Sequence, residues 1–346
     1  MNLIDRNTFS LQLLWNRLKI FFSYLTKCKQ VPSIPIEIMV EVTNHCNIKC
    51  SMCSNSVITR KKGYMSWDTL KKLVDEIKNK AELVYLYGLG EPLLHPQIVE
   101  MIQYCKDNNL RVGLSTNVTL LSEKMSQKLL NSGLDYLIFS LGGLTKETHE
   151  KILVNARYDV VHKNIMDYLK LKAETKSKLY TIIQIVYLEE NKHEIDQFVR
   201  YWKKFEQVNE IRIKPYVNFD YMRKDIKLNE SRKKPRCFYI WRQAYIYWDG
   251  TMVMCCMDSD EEIPLGNIHE KSLYDIWNDK KIQGIRTLHV TGNAYKCGLC
   301  NTCNLSQFSV PVVFGISLFD SLTVKKVLPK VEKFYFKLFR KKMFDI

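Results

Sequence analysis

Short runs of apolar and β-branched residues alternate along most of the chain with longer amphipathic segments. Six such runs occupy residues 36–43, 83–88, 111–116, 135–141, 180–187 and 210–215. Strands of a parallel sheet are covered on both faces and therefore show this continuous apolar pattern. The runs predict six buried β-strands.

Between these strands the apolar residues recur with helical spacing, near residues 66–79, 96–108, 121–132, 146–170 and 192–206. Parallel strands joined by helices form right-handed crossovers, and repetition of this unit curves the sheet. We therefore expect an α/β fold with a partial (β/α)6 barrel. In such barrels the functional side chains lie at the carboxyl ends of the strands.

The barrel is one of four segments that the pattern distinguishes. An amphipathic helix and a Pro-containing linker precede it, and a small Cys-rich extension follows it, in which Asp249–Gly250 predicts a β-hairpin turn. A basic amphipathic tail comes last.

The four segments have the following expected bounds: 1–35 for the helix and linker, 36–220 for the barrel, 237–305 for the β-hairpin/helix extension and 306–346 for the tail.

Composition and charge narrow the function only slightly. The chain has 346 residues and a formal net charge of +15, which a Lys-rich composition alone can produce, so we expect no nucleic acid partner. No stretch of about 20 apolar residues predicts a membrane-spanning helix. The first residues lack a signal-peptide pattern, so we expect a cytoplasmic protein, in which clustered cysteines usually bind metal.

Three cysteines on the loop after the first strand form the array Cys46-x3-Cys50-x2-Cys53. Three thiolates are one short of the four that close a structural zinc site or an electron-transfer cluster. An iron without a protein ligand can bind a small molecule, which indicates chemistry at the cluster. The alternative is a structural zinc site whose fourth ligand is His45 or a distant cysteine.

With Met52 at its apolar position, this array resembles the Cys-x3-Cys-x-Φ-Cys signature of radical S-adenosylmethionine (AdoMet) enzymes. The resemblance implies a [4Fe-4S] cluster on the three cysteines, with AdoMet bound to the open iron and Met52 among the cofactor-binding residues. It also implies reductive cleavage of AdoMet to a 5′-deoxyadenosyl radical, which abstracts a substrate hydrogen. Reduced flavodoxin or ferredoxin is the electron donor expected on the same grounds.

The loop after the second strand also resembles this family. Gly88, Gly90 and Glu91 match its G-G-E-P motif, which meets the methionine amino group of AdoMet. The glycines permit close backbone approach, and a carboxylate accepts hydrogen bonds from an ammonium group. Without the resemblance, the same residues are compatible with an ordinary turn between a strand and a helix.

The ends of the third and fourth strands carry two further motifs. Ser115 and Asn117 lie in a segment resembling T-N-G, with Val118 in place of glycine, and Ser140 lies in one resembling S-L-D-G, with Gly142 in place of aspartate. The resemblance implies that Ser115, Asn117 and Ser140 contact AdoMet. The alternative is that both serines cap the helices that follow.

A second group of six cysteines lies in the extension, around the predicted hairpin. Their spacing resembles the SPASM/Twitch extension of radical AdoMet enzymes in its shortened, single-cluster form. The resemblance implies one auxiliary [4Fe-4S] cluster on Cys237, Cys255, Cys300 and Cys303. Cys256 and Cys297 are then spare, with Cys297 as an alternative to Cys300 or Cys303, and a zinc ribbon is the alternative site.

Three functions are compatible with these motifs. The first is a radical AdoMet enzyme that oxidises a sugar, a cyclitol or a lipid-linked substrate with help from the auxiliary cluster. The second is a peptide-modifying radical AdoMet maturase, although such relatives often carry an N-terminal recognition domain and only about 35 residues precede the first strand here. The third is a non-catalytic zinc or nucleic-acid-binding protein. We therefore expect a small-molecule or peptide substrate, and no residue stands out as a catalytic acid, base or hydrogen donor.

Both ends of the chain combine apolar and basic residues. The tail mixes aromatic and aliphatic side chains with Lys and Arg, and the N-terminal helix presents apolar residues that include Phe9, Leu13, Leu14, Leu18, Phe21, Phe22 and Leu25. Such segments suit an anionic membrane surface, which leaves a location peripheral to the inner membrane as an open alternative. The other interpretation is that they pack on the barrel.

Overall fold

Parallel strands form the centre of the fold, at the positions of the six apolar runs. The computed structural model of the chain describes residues 11–216 and 236–303. The strands are β1 (Glu37–Val40), β2 (Lys49–Cys50), β3 (Leu83–Tyr85), β4 (Arg111–Thr116), β5 (Tyr136–Leu141), β6 (Leu153–Val154), β7 (Tyr180–Tyr187), β8 (Glu210–Pro215), β9 (Gln243–Ile246), β10 (Thr251–Val253) and β11 (Pro264–Asn267). Strands β1, β3, β4, β5, β7 and β8 are parallel neighbours in that order.

Helices connect these strands and cover one face of the sheet. They are α1 (Leu11–Leu25), α2 (Trp67–Ile77), α3 (Ile98–Asp107), α4 (Glu123–Asn131), α5 (Lys146–Ile152), α6 (Tyr158–Thr175), α7 (Ile195–Trp202), α8 (Tyr239–Arg242), α9 (Leu273–Trp277), α10 (Lys280–Val290) and α11 (Gly298–Thr302). Their apolar sides pack on fully buried strand residues that include Ile38, Val84, Val112, Leu137 and Ile183. The expected α/β partial barrel is confirmed.

The prediction of one helix over 146–170 is wrong. Helix α5 stops at Ile152, the next two residues form β6, and α6 begins only at Tyr158. Asn155 has a left-handed backbone with φ of 73°, which helical residues do not adopt. Backbone pairing of β6 with β2 therefore outweighs the helical spacing of the apolar residues.

The Cys-rich extension continues the barrel sheet. Strand β9 lies parallel to β1, from the pair Glu37–Gln243 to the pair Val40–Ile246. The predicted hairpin forms between β9 and β10, with Gly250 in the left-handed region at φ of 88°, and β11 adds a third strand. The result is a nine-stranded sheet in the order β11-β10-β9-β1-β3-β4-β5-β7-β8.

A buried ion pair lies at the junction of β1 and β9. Arg242 Nη2 donates to Glu37 Oε1 at 2.6 Å, and their side chains are only 2% and 10% exposed. Gln243 Nε2 donates to the other oxygen of the same carboxylate at 3.4 Å. The negative charge of Glu37 therefore compensates the buried positive charge of Arg242.

Helix α1 packs against the fold with one face and exposes an apolar strip on the other. Leu13, Ile20 and Phe21 are buried, and Arg17 forms an ion pair with Glu82 at 2.7 Å. The exposed strip consists of Leu11, Trp15, Phe22 and Leu25. Phe9, the basic segment 222–235 and the tail 306–346 lie outside the described residues. Among the helices that the structure describes, none has the length and apolar character to cross a membrane.

The ion pair at the sheet junction can be tested with Glu37→Gln. The substitution keeps the shape but leaves the buried Arg242 charge without its nearest counter-charge, so we expect a loss of about 3 kcal/mol in the free energy of unfolding. Urea unfolding followed by circular dichroism measures it. The control is Asp75→Asn, which breaks the exposed ion pair with Lys78 and should leave the unfolding midpoint unchanged. Equal midpoints for both variants would contradict the role of Glu37.

Candidate active site

The loop that carries Cys46, Cys50 and Cys53 follows β1 and is held by a short antiparallel pair. Cys50 lies in β2 and pairs with Leu153 in β6, and Ser51 N–H donates to the Ile152 carbonyl at 2.8 Å. The break between α5 and α6 therefore has a specific effect: it supplies the backbone edge against which the cysteine loop is ordered.

A separate apolar cluster lies beneath this loop. Its buried members are Ile48, Ile152, Leu153, Ala156, Leu188 and Tyr216. Cys46, Cys50, Met52 and Val186 are partly buried and pack against it. Apolar surroundings of this kind limit the access of water to a cluster and influence its reduction potential.

The three thiols are close enough to influence one another electrostatically. The pKa of Cys50 is raised far above its ordinary value, mainly by burial and then by the neighbouring Cys53 and Cys46. Burial also raises the pKa of Cys46 and Cys53. Such thiols become thiolates when a metal centre compensates their charge, so this donor set fits an iron–sulfur cluster.

The histidine beside the cysteine array stacks on an aromatic side chain. The His45 ring stacks on Tyr64, with a centroid distance of 4.8 Å and an interplanar angle of 20°. Across the residues that the structure describes, no three His, Cys, Asp or Glu side chains converge as ligands of a single metal ion. In an iron–sulfur cluster each thiolate binds a different iron, so the three thiols need not converge on a single metal ion.

Gly88 and Gly90 bring their loop into close contact with neighbouring chain segments. A Cβ on Gly88 would lie 2.6 Å from the Tyr245 hydroxyl, and a Cβ on Gly90 would lie 2.2 Å from the Thr43 carbonyl oxygen and 2.7 Å from that of His45. The next residue, Glu91, donates its N–H to the same His45 carbonyl at 2.8 Å. Gly90 thus lets this loop pack directly on the cysteine loop.

Glu91 is 2% exposed, and backbone N–H groups donate to both of its carboxylate oxygens. Leu93 N–H donates at 3.0 Å and Asn117 N–H at 2.7 Å. Burial raises the pKa of Glu91 to about 7, although these hydrogen bonds lower it. The carboxylate therefore ties the ends of β3 and β4 together, and Asn117 Nδ2 lies 3.9 Å from Cys46 Sγ.

The two predicted serines meet on neighbouring strands. Ser115 Oγ and Ser140 Oγ are 3.2 Å apart, at the carboxyl ends of β4 and β5. Ser122 and Thr145 cap the helices that follow, so the interpretation of the two serines as helix caps is wrong. Val118, at the position of the glycine in the T-N-G motif that this segment resembles, has φ of 69° and is fully buried. A β-branched residue rarely adopts this conformation, which indicates that surrounding contacts impose it.

Sequence reasoning did not identify a row of polar side chains on the concave face. Ser140, Gln184 and Arg212 are register partners across β5, β7 and β8. Gln184 is 9% exposed and its buried Oε1 has no hydrogen-bond partner, while Arg212 donates to both oxygens of Glu210. The strict alternation of polar and apolar residues in β8 is the signal that would have revealed this face.

Five thiols line one cavity in the extension. The pocket is bounded by Cys237, Cys255, Cys256, Cys300 and Cys303, together with His289 and apolar side chains. Cys297 does not line it, and its sulfur lies 3.8 Å from Met254 Sδ. Burial raises the pKa of Cys256 to about 11, and the positive charge of Lys214 in β8 opposes this shift, so this cavity borders the concave face.

Two sequence models of known families match the chain. That of the Radical SAM superfamily matches residues 40–201, and that of the SPASM iron-sulfur cluster-binding domain matches residues 237–304. The chain belongs to the radical SAM superfamily. It is thus an enzyme of this type, with a [4Fe-4S] cluster and AdoMet as cofactors and an iron–sulfur cluster in the SPASM region.

Curated relatives of this radical SAM enzyme match over most of the chain. A tungsten-containing aldehyde ferredoxin oxidoreductase cofactor-modifying protein of Pyrococcus furiosus is 28% identical, over 77% of this chain and 86% of its own length. An S-adenosyl-L-methionine-dependent 2-deoxy-scyllo-inosamine dehydrogenase of Niallia circulans is 26% identical, over 77% of this chain and 92% of its own.

Solved structures share the fold. BtrN in complex with AdoMet and 2-DOIA has a TM-score of 0.56 and 20% identity, over 80% of this chain and 95% of its own. Streptococcus suis SuiB bound to its precursor peptide SuiA has a TM-score of 0.62 and 16% identity, over 87% of this chain and 78% of its own. At these identities the likeness concerns the fold alone.

The contact between the two loops predicts the effect of Gly90→Ala. The added methyl group would collide with two backbone carbonyls, which cannot rotate away as a side chain can, so the cysteine loop must shift. We expect a clear loss of bound iron and sulfide after anaerobic reconstitution. Gly284→Ala is the control, because a Cβ there meets nothing within 4 Å and alanine favours the helix. Full iron content in Gly90→Ala would contradict the prediction.

Proposed function

We propose that Cys46, Cys50 and Cys53 hold the AdoMet-cleaving [4Fe-4S] cluster at the carboxyl end of β1. The observation that carries the proposal is the burial and electrostatic coupling of three thiols on one loop, ordered by β6. When bound, the cluster supplies the electron that cleaves AdoMet and releases a 5′-deoxyadenosyl radical. A reduced flavodoxin or ferredoxin would deliver this electron.

AdoMet would bind between the cysteine loop and the ends of β3 to β5. The glycine loop offers backbone groups close to the cysteines, and the buried Glu91 carboxylate holds that loop against β4. The paired serine hydroxyls provide hydrogen-bonding groups on the concave face. The residues proposed for AdoMet are Met52, Gly88, Gly90, Glu91, Ser115, Asn117 and Ser140.

The auxiliary cluster would be held by four thiols of the extension. Four of the five thiols in the cavity match the spacing expected for a single closed cluster, namely Cys237, Cys255, Cys300 and Cys303. Cys256 lies at the side of the cavity that borders the concave face. We propose bounds of 36–220 for the AdoMet barrel and 237–305 for the auxiliary region.

The reaction favoured by two such sites is oxidation of a carbinol carbon. Transfer of a hydrogen atom from the carbon to the 5′-deoxyadenosyl radical gives 5′-deoxyadenosine and a substrate radical. Loss of one electron and of the hydroxyl proton then gives the carbonyl product, so two electrons leave the substrate in total. A fully ligated auxiliary cluster is suited to accept the second electron.

A sugar, a cyclitol or a lipid-linked substrate fits the polar row on the concave face. Beside Ser140, which we assign to AdoMet, Gln184 and Arg212 offer an unpartnered buried amide oxygen and a guanidinium to a polyhydroxylated molecule. The similarity to a 2-deoxy-scyllo-inosamine dehydrogenase over most of both chains supports this class. A peptide is the second candidate, because a curated PqqA peptide cyclase is 24% identical over 48% of this chain.

The cluster assignment predicts different outcomes for two cysteine variants. Cys50→Ala should lower the iron content from about eight to about four atoms per chain and abolish 5′-deoxyadenosine formation. Cys255→Ala should lose iron but retain AdoMet cleavage, because only the auxiliary site is affected. Iron and sulfide analysis and product chromatography after anaerobic reduction measure both. The control is Cys28→Ser, an exposed thiol remote from both groups in sequence.

The substrate class is tested in the same assay with carbinol-deuterated cyclitols and sugars. Transfer of deuterium into 5′-deoxyadenosine, together with a ketone product, would support the oxidation. Deuterium transfer only from labelled peptides would favour the maturase instead. Zinc without sulfide in the reconstituted chain, or 5′-deoxyadenosine formation by Cys50→Ala, would contradict the proposed cluster.

We also propose that the exposed face of α1 contacts an anionic membrane surface. Leu11, Trp15 and Phe22 are 73%, 63% and 56% exposed on one side of the helix. Lys19 in the helix and Lys27 and Lys29 just after it are also exposed. Aromatic and aliphatic side chains flanked by lysines are typical of helices that lie in the membrane interface. This position would bring the barrel close to a lipid-linked substrate.

Vesicle flotation tests this contact. The double variant Trp15→Ser/Phe22→Ser should lose most of the binding of the full chain to vesicles with anionic lipid, because its apolar contact area is removed. Tyr274→Ser/Tyr295→Ser is the control, since both tyrosines are 40% exposed elsewhere on the surface. Unchanged flotation of the α1 variant, or no flotation of the unmodified chain, would contradict the proposal.

A further inference from the structure

His289 contacts two of the cysteines that we assign to the auxiliary cluster. It lies in α10 and is 5% exposed. Its Nδ1 accepts the Cys237 backbone N–H at 3.3 Å, and its Nε2 lies 3.3 Å from Cys300 Sγ. One imidazole ring therefore bridges the first and third cysteines of the proposed ligand set.

These two contacts determine which ring nitrogen carries the proton. A nitrogen that accepts a backbone N–H has its lone pair engaged and cannot carry a hydrogen, so Nδ1 is unprotonated. In the neutral ring the hydrogen then lies on Nε2, which points at Cys300. A thiolate bound to iron has no hydrogen to donate, so the contact must be an N–H···S hydrogen bond.

The orientation of the ring is fixed by the helix that carries it. Asp279 caps the first turn of α10, and Arg286, one turn before His289, donates Nε–H to the Ile240 carbonyl at 2.9 Å and Nη1 to the Lys29 carbonyl at 2.8 Å. The buried Arg286 thus anchors this part of α10 to the segment that follows Cys237. The backbone at His289 is therefore held in place, and the ring itself is held by its contacts with Cys237 and Cys300.

We infer that His289 is a positioning residue that donates a hydrogen bond to the Cys300 sulfur and raises the reduction potential of the auxiliary cluster. A hydrogen bond to a ligand sulfur offsets the negative charge that the cluster gains on reduction, so it stabilises the reduced state. The inference rests on the proposed ligand set. It adds a residue that the family's cysteine spacing does not specify.

Three substitutions separate the two contacts of His289. In His289→Asn the amide oxygen can replace Nδ1 as the acceptor for Cys237, but no group reaches Cys300. In His289→Gln the amide nitrogen can replace Nε2 as the donor to Cys300. His289→Leu removes both contacts. The control is His269→Leu. His269 Nε2 lies 3.0 Å from Thr69 Oγ1, and His269 is not among the residues that line the cysteine cavity.

The experiment is a redox titration followed by electron paramagnetic resonance. The parent chain carries Cys46→Ala, Cys50→Ala and Cys53→Ala, so that only the auxiliary cluster gives a signal. We expect a more negative midpoint potential in His289→Asn and His289→Leu than in the parent. The midpoint potential of His289→Gln should lie closer to that of the parent, and the midpoint potential of His269→Leu should equal that of the parent.

The outcomes distinguish this inference from the proposed ligand set. A parent chain that binds no iron and sulfide would overturn the ligand set. A parent with a cluster whose potential is unchanged in His289→Asn would overturn the role of His289. If His289→Leu fails to retain a cluster, the midpoint potentials of His289→Asn and His289→Gln test the role of His289, because both variants keep a polar side chain. Equal potentials in those two variants would also count against the hydrogen bond.

Discussion

The parallel pairing of β1 with β9 is the constraint on which the arrangement of both cysteine groups depends. The cysteine loop leaves the carboxyl end of β1, while Cys237 directly precedes α8 and β9. A shift of β9 by one residue would exchange the faces of Ala244 and Tyr245. Tyr245 would then lose its contact with Gly88. The position of the glycine loop against the extension therefore depends on the register of β9 with β1.

The first cysteine loop is ordered by neighbours that are distant in sequence. β6 pairs with its backbone at Cys50, and the segment after Cys53 is held by the extension: Asp260 accepts the N–H groups of Thr59 and Arg60 at 2.7 and 2.9 Å. Arg60 also forms a bidentate pair with the buried Glu41 and lies over the Tyr247 ring. The extension therefore supports the barrel site as well as forming its own.

The sequence predicted the strands well because buried strands have a local signature, and β4 and β7 begin and end where the apolar runs do. The bounds of β8 were also predicted, but its burial was not, since all six of its residues are half-buried or exposed. The cysteine spacing likewise identified both groups of thiols. The pair β2–β6 and the join of β9 to β1 escaped because they arise from contacts between distant segments, which leave little local pattern. His289 escaped for the same reason, since in sequence it is one more residue of an amphipathic helix.

Both thiol groups have largely apolar surroundings and one polar nitrogen near a sulfur, and they differ in how that nitrogen is held. Around the barrel thiols the neighbours are largely apolar, and the Asn117 amide lies 3.9 Å from Cys46. Around the extension thiols, a buried imidazole is oriented at Cys300 by its own backbone contact. Donors to sulfur favour the reduced state of a cluster, whereas apolar surroundings disfavour added charge. With the ligand sets proposed here, the shorter and doubly held imidazole contact at Cys300 would favour electron uptake by the auxiliary cluster, as removal of the second electron from a substrate requires.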